Sequence, residues 1–97
     1  MLNGKQRSYL RGLANTISPV IQLGKDGITD NVIKQVNEVL EARELIKLTI
    51  LRNSTLDPRE ACDSLCESTG SEPVQVIGNR FVMYRKSKDK PQIELPR

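Results

Sequence analysis

Hydrophobic residues in this chain follow two alternating periods, and this alternation limits the folds open to it. Val32, Val36 and Leu40 lie on one stripe at helical spacing. The run at 45–50, Leu-Ile-Lys-Leu-Thr-Ile, alternates as a strand does. These two periodicities, followed along residues 3–85, predict the order α-β-α-β-α-β-β. The chain shows no repeats and no internal linker.

This order of elements predicts a mixed sheet. Strands separated by a helix are joined by right-handed crossovers and pair in parallel. The last two strands flank Gly78-Asn79, a dipeptide typical of a two-residue antiparallel hairpin. We therefore predict an α/β fold of the α+β two-layer type, in which helices pack on a four-stranded mixed sheet.

Capping and turn residues set the predicted boundaries of these elements. Thr29 and Asp57 are expected as helix N-caps, and Gly70 as the residue that ends the third helix. Helices are predicted from Asn3 to Asn15, from the Thr29 cap to Glu44 and from the Asp57 cap to Gly70, and strands at 20–23, 45–50, 74–77 and 80–85. We expect one domain across residues 1–97, in which residues 86–97 form an extended or mobile tail.

The composition excludes several classes of activity. The chain has 97 residues, no His and two Cys, so catalysis that depends on His and metal sites that contain His are ruled out. Cys62 and Cys66 stand one helical turn apart on an apolar face, which predicts buried thiols rather than metal ligands. We predict a protein that is not an enzyme and that uses no cofactor or metal.

The sequence also bears on where the protein acts. No apolar run approaches the roughly 20 residues of a membrane helix. Lys5, Arg7 and Arg11 precede any apolar stretch, so the N-terminus lacks the apolar middle region of a secretory signal. We expect a cytoplasmic monomer without a membrane partner.

The net charge of +3 conceals an uneven distribution along the chain. Residues 1–37 carry five basic and two acidic groups, and residues 73–97 carry six basic and two acidic groups. The middle segment, 38–72, carries four basic and eight acidic groups. If the fold brings the two ends together, a basic face opposes an acidic one, which is typical of a protein with a polyanionic partner. Uneven charge without function is the alternative.

A glycine-rich loop, Gly24-Lys25-Asp26-Gly27, separates the first predicted strand from the second helix. Glycines permit positive φ and close approach of a ligand, and the N–H groups at a helix start favour phosphate. A loop of this GxxG form clamps the nucleic-acid backbone in KH domains. The alternative is a tight turn that needs glycine for geometry alone, and the carboxylates of Asp26 and Asp30 would repel a phosphate there.

The last predicted strand interleaves basic and aromatic residues. Arg80 and Arg85 flank Phe81-Val82-Met83-Tyr84, a combination that can hold phosphates and stack bases. Phe81 and Tyr84 point to opposite faces of a strand. We expect Phe81 in the core and Tyr84 as an exposed contact.

Several stretches, in order and at matching spacings, resemble one known family. They are KQRSYLRGLAN at the start, PVIQLGKDGITDNV around the loop, ELIKLTI, VQVIGNRFVMYR and the closing LPR. In these stretches the chain resembles the CRM (chloroplast RNA splicing and ribosome maturation) domain, in its bacterial stand-alone YhbY-like form. The resemblance implies a four-stranded mixed sheet similar to the C-terminal domain of translation initiation factor three.

The resemblance further implies RNA binding and association with precursors of the large ribosomal subunit. It assigns the Gly24–Gly27 loop as the family's GxxG element and matches the family's basic positions at Lys5, Arg11, Lys47 and Arg85. With the residues argued above, the candidate RNA-binding set is Gly24, Lys25, Gly27, Lys5, Arg11, Lys47, Arg80, Tyr84 and Arg85.

The leading hypothesis is thus a non-enzymatic protein that binds ribosomal RNA mainly through its backbone and assists assembly of the large subunit. One rival is an adaptor whose acidic middle segment recruits a ribosomal protein or assembly factor without touching RNA. A small enzyme acting on phosphates is the other rival, but the chain offers no acid–base pair for it.

Overall fold

The computed structural model describes residues 2–97, which contain three helices and four strands. The helices are α1 (Gly4–Ala14), α2 (Asp30–Arg43) and α3 (Pro58–Thr69), and the strands are β1 (Ile21–Leu23), β2 (Leu45–Ile50), β3 (Glu72–Ile77) and β4 (Arg80–Tyr84). The predicted order α-β-α-β-α-β-β is confirmed. No helix in this part of the chain has the length and apolar character needed to cross a membrane.

The four strands form one mixed sheet in the order β1-β2-β4-β3. Strand β1 pairs in parallel with β2, with Ile21 opposite Leu48. Strand β4 lies antiparallel between β2 and β3, and Leu48 faces Phe81 across the first of these pairs. The parallel crossover and the closing hairpin are both as predicted from the sequence.

Helices cover both faces of this sheet. On one face, α2 and α3 pack on the sheet, and the two layers share a cluster of thirteen buried residues that includes Leu40, Leu65 and Phe81. On the other face, α1 packs through Leu10 and Ala14 in a smaller cluster. The α/β class and the mixed sheet are confirmed, but the predicted two-layer arrangement is wrong, because α1 adds a third layer. The apolar stripe of α1 is short and does not indicate which face of the sheet this helix covers.

Capping side chains fix where the helices begin and end. The Oγ1 of Thr29 accepts a hydrogen bond from the Val32 N–H at 3.2 Å, and Oδ2 of Asp57 accepts one from the Glu60 N–H at 3.0 Å. Gly70 closes α3 with φ of 66°, a left-handed conformation that favours glycine. These three predicted caps are confirmed, and the α2 cap fixes the end of the glycine loop.

The segment 86–97 has no regular secondary structure, yet it is held firmly to the domain. The carboxylate of Glu44 is completely buried and accepts hydrogen bonds from the Ser87 N–H at 2.7 Å, the Gln92 N–H at 2.7 Å and the Ile93 N–H at 2.8 Å. Ile93 and Leu95 pack on the α1 cluster. These contacts dock the tail on the domain.

Two carboxylates anchor this tail. Burial acts to raise the pKa of Glu44, but the three N–H donors outweigh burial and hold that pKa below its ordinary value. Glu41 accepts hydrogen bonds from the Ser87 hydroxyl and from the N–H groups of Lys88 and Asp89, which lower its pKa as well. Glu41 and Glu44 therefore bind the tail as charged carboxylates.

Candidate nucleic-acid interface

Three loops meet at one end of the sheet, where β1 and β2 finish and the β3–β4 hairpin turns. The Leu51 N–H donates to the Leu23 carbonyl at 2.8 Å, and the Ile50 N–H donates to the Asn79 carbonyl at 2.7 Å. The Asn79 side chain donates back to the Ile50 carbonyl at 2.8 Å. We call this edge the loop end of the sheet. It brings the glycine loop close to the hairpin.

The glycine loop at this end is a tight turn. The Gly27 N–H donates to the Gly24 carbonyl at 3.1 Å, and Lys25 and Asp26 lie exposed at its apex. Gly27 has φ of +71°, a conformation that a side chain opposes. Gly24 has no such φ, and a Cβ built on it would meet Asn53 Oδ1 at 3.8 Å, an ordinary contact. The expectation of positive φ is thus met at Gly27 and not at Gly24.

The charges around this turn are of both signs. Lys25 presents a cation at the apex, while Asp26 lies beside it and Asp30 occupies the first turn of α2. Carboxylates at a helix start stabilise the helix dipole but compete with a bound phosphate. The turn thus supplies one cation, Lys25, so further cations for a polyanion must come from beyond it.

Part of the sheet beside the loop end is left uncovered by α1. Leu45, Val74 and Tyr84 lie under the helix at the far end. Toward the loop end, Lys47 and Arg80 stand on the same sheet face with no helix above them. We call this region the open sheet half. It contains a cavity of about 150 Å³, lined by Asn15, Lys47, Gln75, Ile77, Arg80 and Val82.

A second, larger cavity lies along the edge strand β3. It measures about 440 Å³, and its walls carry Arg7 and Arg11 from α1 and Arg59 from α3. The floor of this cavity is the strand segment 73–77. The Nε of Arg7 lies 3.4 Å from the Pro73 carbonyl, which fixes the guanidinium at the strand edge. We call this cavity the arginine cleft.

Most cations on this side of the molecule are available to a ligand. In residues 2–97, the side chains of Lys25, Lys47, Arg52 and Arg80 have neither an ion-pair partner nor a hydrogen-bond partner in the protein. The outer surface of α2 and α3 is different, because it exposes a group of acidic residues: Glu38, Glu60, Asp63 and Glu67. We call the side that carries α1 and the loop end the basic side, and the outer surface of α2 and α3 the acidic side. Three cations of the basic side, Lys47, Arg52 and Arg59, come from the acidic middle segment 38–72 of the sequence.

The structure brings together seven of the nine candidate residues on the basic side. Gly24, Lys25 and Gly27 form the turn, and Lys47 and Arg80 share the open sheet half. Lys5 and Arg11 are exposed on α1. The remaining two, Tyr84 and Arg85, do not belong to this surface.

Tyr84 is a core residue, and the expectation that it is exposed is wrong. Its exposed fraction is 6%, against 1% for Phe81. The two rings do point to opposite faces, but α1 and the tail cover the face that the two-layer prediction had left open. Burial, together with the charge of Glu44, raises the pKa of Tyr84. The side chain therefore packs the α1 cluster and offers no stacking surface.

Arg85 is also a structural residue. Its Nη1 donates to Asn37 Oδ1 at 2.7 Å and to the Thr69 carbonyl at 2.8 Å, and its Nη2 donates to the Asn37 carbonyl at 3.0 Å. Its Nε is buried without a partner in the described residues. The guanidinium thus ties β4 to α2 and α3, and the structure removes it from the candidate interface.

Sequence reasoning missed several residues of the basic side. Arg59 reaches the arginine cleft from the first turn of α3, and Arg52 lies in the exposed turn that follows β2. Tyr9, with an exposed fraction of 43%, is an accessible aromatic side chain on α1. The sequence carried no signal for the first two, since their placement depends on how α3 and the loop end pack.

The two cysteines are buried free thiols, as predicted. The hydrogen bond between them and their burial raise the pKa of Cys62, and the same hydrogen bond lowers the pKa of Cys66. In residues 2–97 no group of three or more His, Cys, Asp or Glu residues is placed to hold a metal ion.

Comparison with known proteins adds a family and a fold to this geometry. Residues 2–85 match the model of the CRS1 / YhbY (CRM) domain. The chain is 48% identical over 96 residues to the probable RNA-binding protein YqeI of Bacillus subtilis, covering 99% of this chain and 100% of that protein. It is 33% identical over 96 residues to an RNA-binding protein of Haemophilus influenzae, covering 99% and 96%.

A solved structure has the same fold. The solution structure of a hypothetical protein from Staphylococcus aureus superposes on this chain with a TM-score of 0.82 and 53% sequence identity. The match covers 99% of this chain and 100% of the other. The matches to the Bacillus subtilis protein and to the solved structure therefore include the docked tail, which lies beyond residue 85, the last one that the family model matches.

Proposed function

The chain belongs to the CRS1 / YhbY (CRM) domain family, and from this premise we propose that it binds RNA through its basic side. The observation that carries the proposal is the grouping of unpaired cations from elements far apart in sequence. Lys25 follows β1, Lys47 lies in β2 and Arg80 begins β4, yet they gather at the loop end and the open sheet half. The names of the relatives as RNA-binding proteins support the same function.

The proposed contacts are mainly with the RNA backbone. Lys25, Lys47 and Arg80 supply charge without having to break an ion pair within the protein, so binding a phosphate costs them little reorganisation. The arginine cleft adds three guanidinium groups along the β3 edge, whose planar donors suit phosphate oxygens. Contacts of this kind position an RNA but do not by themselves select a sequence.

The Gly24–Gly27 turn is proposed to approach one phosphate of the bound strand. With no side chain at Gly24 or Gly27, a phosphate can approach the backbone of the turn closely, although the Gly27 N–H itself already donates to the Gly24 carbonyl. Lys25 adds a cation to this approach, and Asp26 opposes it. We infer that the turn contributes orientation and that the cations of the open sheet half contribute most of the affinity.

We also propose that the RNA is ribosomal and that the protein assists assembly of the large ribosomal subunit. The support is the resemblance to the stand-alone CRM form described above. Crosslinking in cells followed by sequencing of the bound RNA, with sedimentation of ribosomal particles, tests this assignment. We expect large-subunit RNA and a precursor particle, whereas recovery of messenger RNA alone would contradict it.

Charge reversal tests the RNA-binding proposal itself. We expect Lys47→Glu and Arg80→Glu each to weaken binding of a single-stranded RNA by about tenfold or more, since each removes a charged contact and adds a repulsion. Lys34→Glu is the matched control, because Lys34 is exposed on α2 on the other face of the sheet. Equal loss of affinity in all three variants would show that net charge, rather than this surface, governs binding.

The same protein could instead act as an adaptor, and the acidic side carries that second candidate. Glu38, Asp63 and Glu67 are exposed on adjacent helices and suit a basic ribosomal protein. Reversal to Lys at these three positions should release such a partner and leave RNA affinity intact. If RNA affinity is absent in the unmodified chain and a protein partner is still bound, the adaptor function replaces the RNA-binding one.

A further inference from the structure

The cavity of the open sheet half differs chemically from a phosphate site. Its six lining residues comprise two cations, Lys47 and Arg80, two amides, Asn15 and Gln75, and two aliphatic side chains, Ile77 and Val82. No carboxylate is among them. A site for phosphate alone would need cations and N–H donors but not an apolar wall flanked by amides.

The apolar wall of this cavity is formed by the β3–β4 hairpin. Val82 is only 2% exposed and forms the floor, whereas Ile77 is 64% exposed, the highest fraction among the large hydrophobic side chains described. Ile77 lies opposite Arg80 across the hairpin, so its side chain stands beside a cation. A nucleobase, with apolar ring faces and polar edges, matches such a wall.

The two amides stand at the rim with their polar groups free. Within residues 2–97, neither the Asn15 nor the Gln75 side chain has a hydrogen-bond partner in the protein. By contrast, the Asn79 amide, at the same end of the sheet, is held by the Ile50 carbonyl. Each free amide offers both a donor and an acceptor, which is the pairing that the edge of a base requires.

A β-bulge places Gln75 in this cavity. Pro73 pairs with Met83 and Gln75 pairs with Val82, so Val74 is an extra residue on β3. Val74 is buried in the α1 cluster, and the residue after it, Gln75, also faces this side of the sheet. Bulges commonly redirect a side chain beside a functional site, and here the bulge supplies one of the two free amides.

We propose that this cavity holds one unstacked base of a single-stranded RNA segment. The base lies against Ile77 and Val82, its edge forms hydrogen bonds with the amides of Asn15 and Gln75, and its flanking phosphates pair with Lys47 and Arg80. The inference rests on the proposed RNA-binding function and adds to it a site that selects among bases.

The test measures affinity for short oligoadenylate, oligocytidylate and oligouridylate at one salt concentration. The unmodified protein is expected to prefer one of the three by roughly tenfold, the discrimination that one well-paired base edge provides. Asn15→Ala and Gln75→Ala should reduce that preference severalfold, with the salt dependence unchanged. Gln35→Ala, an exposed amide on α2, is the matched control and should leave the preference intact.

The outcomes separate this inference from the proposed function. Salt-dependent binding with equal affinity for the three oligonucleotides, or a preference that survives both amide variants, would overturn the base site and leave RNA binding standing. Absence of binding to all three would overturn both. Ile77→Ser, at a position exposed enough to keep the fold, should weaken binding of the preferred oligonucleotide severalfold, and unchanged affinity there would also count against the base site.

Discussion

Gly24 and Gly27 share a motif, but they have different structural requirements. Gly27 adopts φ of +71°, whereas a Cβ on Gly24 would make ordinary contacts. The motif therefore combines one glycine that the turn needs for its conformation with one that the fold does not need. Gly24 is the better probe of direct contact with RNA, because changing it leaves the turn intact.

Alanine substitutions distinguish these two roles. Gly27→Ala should lower the free energy of unfolding by about 1 kcal/mol, since alanine is strained at this φ. Gly24→Ala should change stability by less than about 0.5 kcal/mol and yet weaken RNA binding severalfold, because its methyl group blocks close approach of a phosphate. Urea denaturation and RNA titration measure the two effects, and an unchanged RNA affinity of Gly24→Ala would remove the turn from the interface.

Arg85 illustrates how a basic residue in a functional pattern can serve the fold. Its guanidinium satisfies the Asn37 and Thr69 carbonyls and the Asn37 side chain. Arg85→Lys keeps the charge but loses the forked geometry, so we expect a loss of about 2 kcal/mol in stability without a loss of RNA affinity in the folded protein. Reduced affinity with unchanged stability would restore Arg85 to the interface.

At the scale of elements, the tail depends on one unusual residue at the end of α2. Glu44 has φ of 67°, and its buried carboxylate accepts three backbone N–H groups of the tail. Glu44→Gln should lower stability by about 2 kcal/mol, because it replaces charge-assisted hydrogen bonds with neutral ones. Hydrogen exchange should accelerate at the amides of Gln92 and Ile93. Glu94→Gln, at an exposed tail position, is the control and should change neither.

The same contacts make tail docking dependent on pH. The folded-state pKa values of Glu41 and Glu44 lie below the ordinary value of 4.5, so their contribution to stability is present above pH 4.5 and is lost as pH falls through the lowered values. Exchange at Ile93 should therefore quicken as pH is lowered from 4.5, after correction for the intrinsic rate. A docking strength independent of pH in that window would contradict the role assigned to the carboxylates.

The elements themselves were largely predictable from the sequence. Helix periodicity, the Thr29 and Asp57 caps and the Gly78-Asn79 turn specify their structure locally, so each was found at or near its predicted position. The layer of α1, the docking of the tail and the burial of Tyr84 depend on contacts between residues far apart in sequence. No local pattern encodes those contacts, and the two errors, the two-layer arrangement and the exposed Tyr84, share that cause.

At the scale of the whole molecule, charge segregation relates the fold to the proposed function. Most of the candidate site was predictable as residue types, since Lys25, Lys47 and Arg80 stood out by motif or resemblance. Their grouping with Arg52 and Arg59 on one side of the molecule was not predictable, because it arises from the sheet order β1-β2-β4-β3. The exposed carboxylates Glu38, Asp63 and Glu67 of α2 and α3 lie away from these cations, so the proposed function has an RNA oriented by the field of the protein before contact.

The dependence of RNA affinity on salt tests the central claim most directly. Three to five phosphates neutralised on the basic side should give a slope of about −2 to −4 for the logarithm of the association constant against the logarithm of salt concentration. The double variant Lys47→Ala and Arg80→Ala should make that slope shallower by about one for each lost contact, while Lys34→Ala should not alter it. A slope near zero in the unmodified protein, or one that the double variant leaves unchanged, would contradict RNA binding through this side of the molecule.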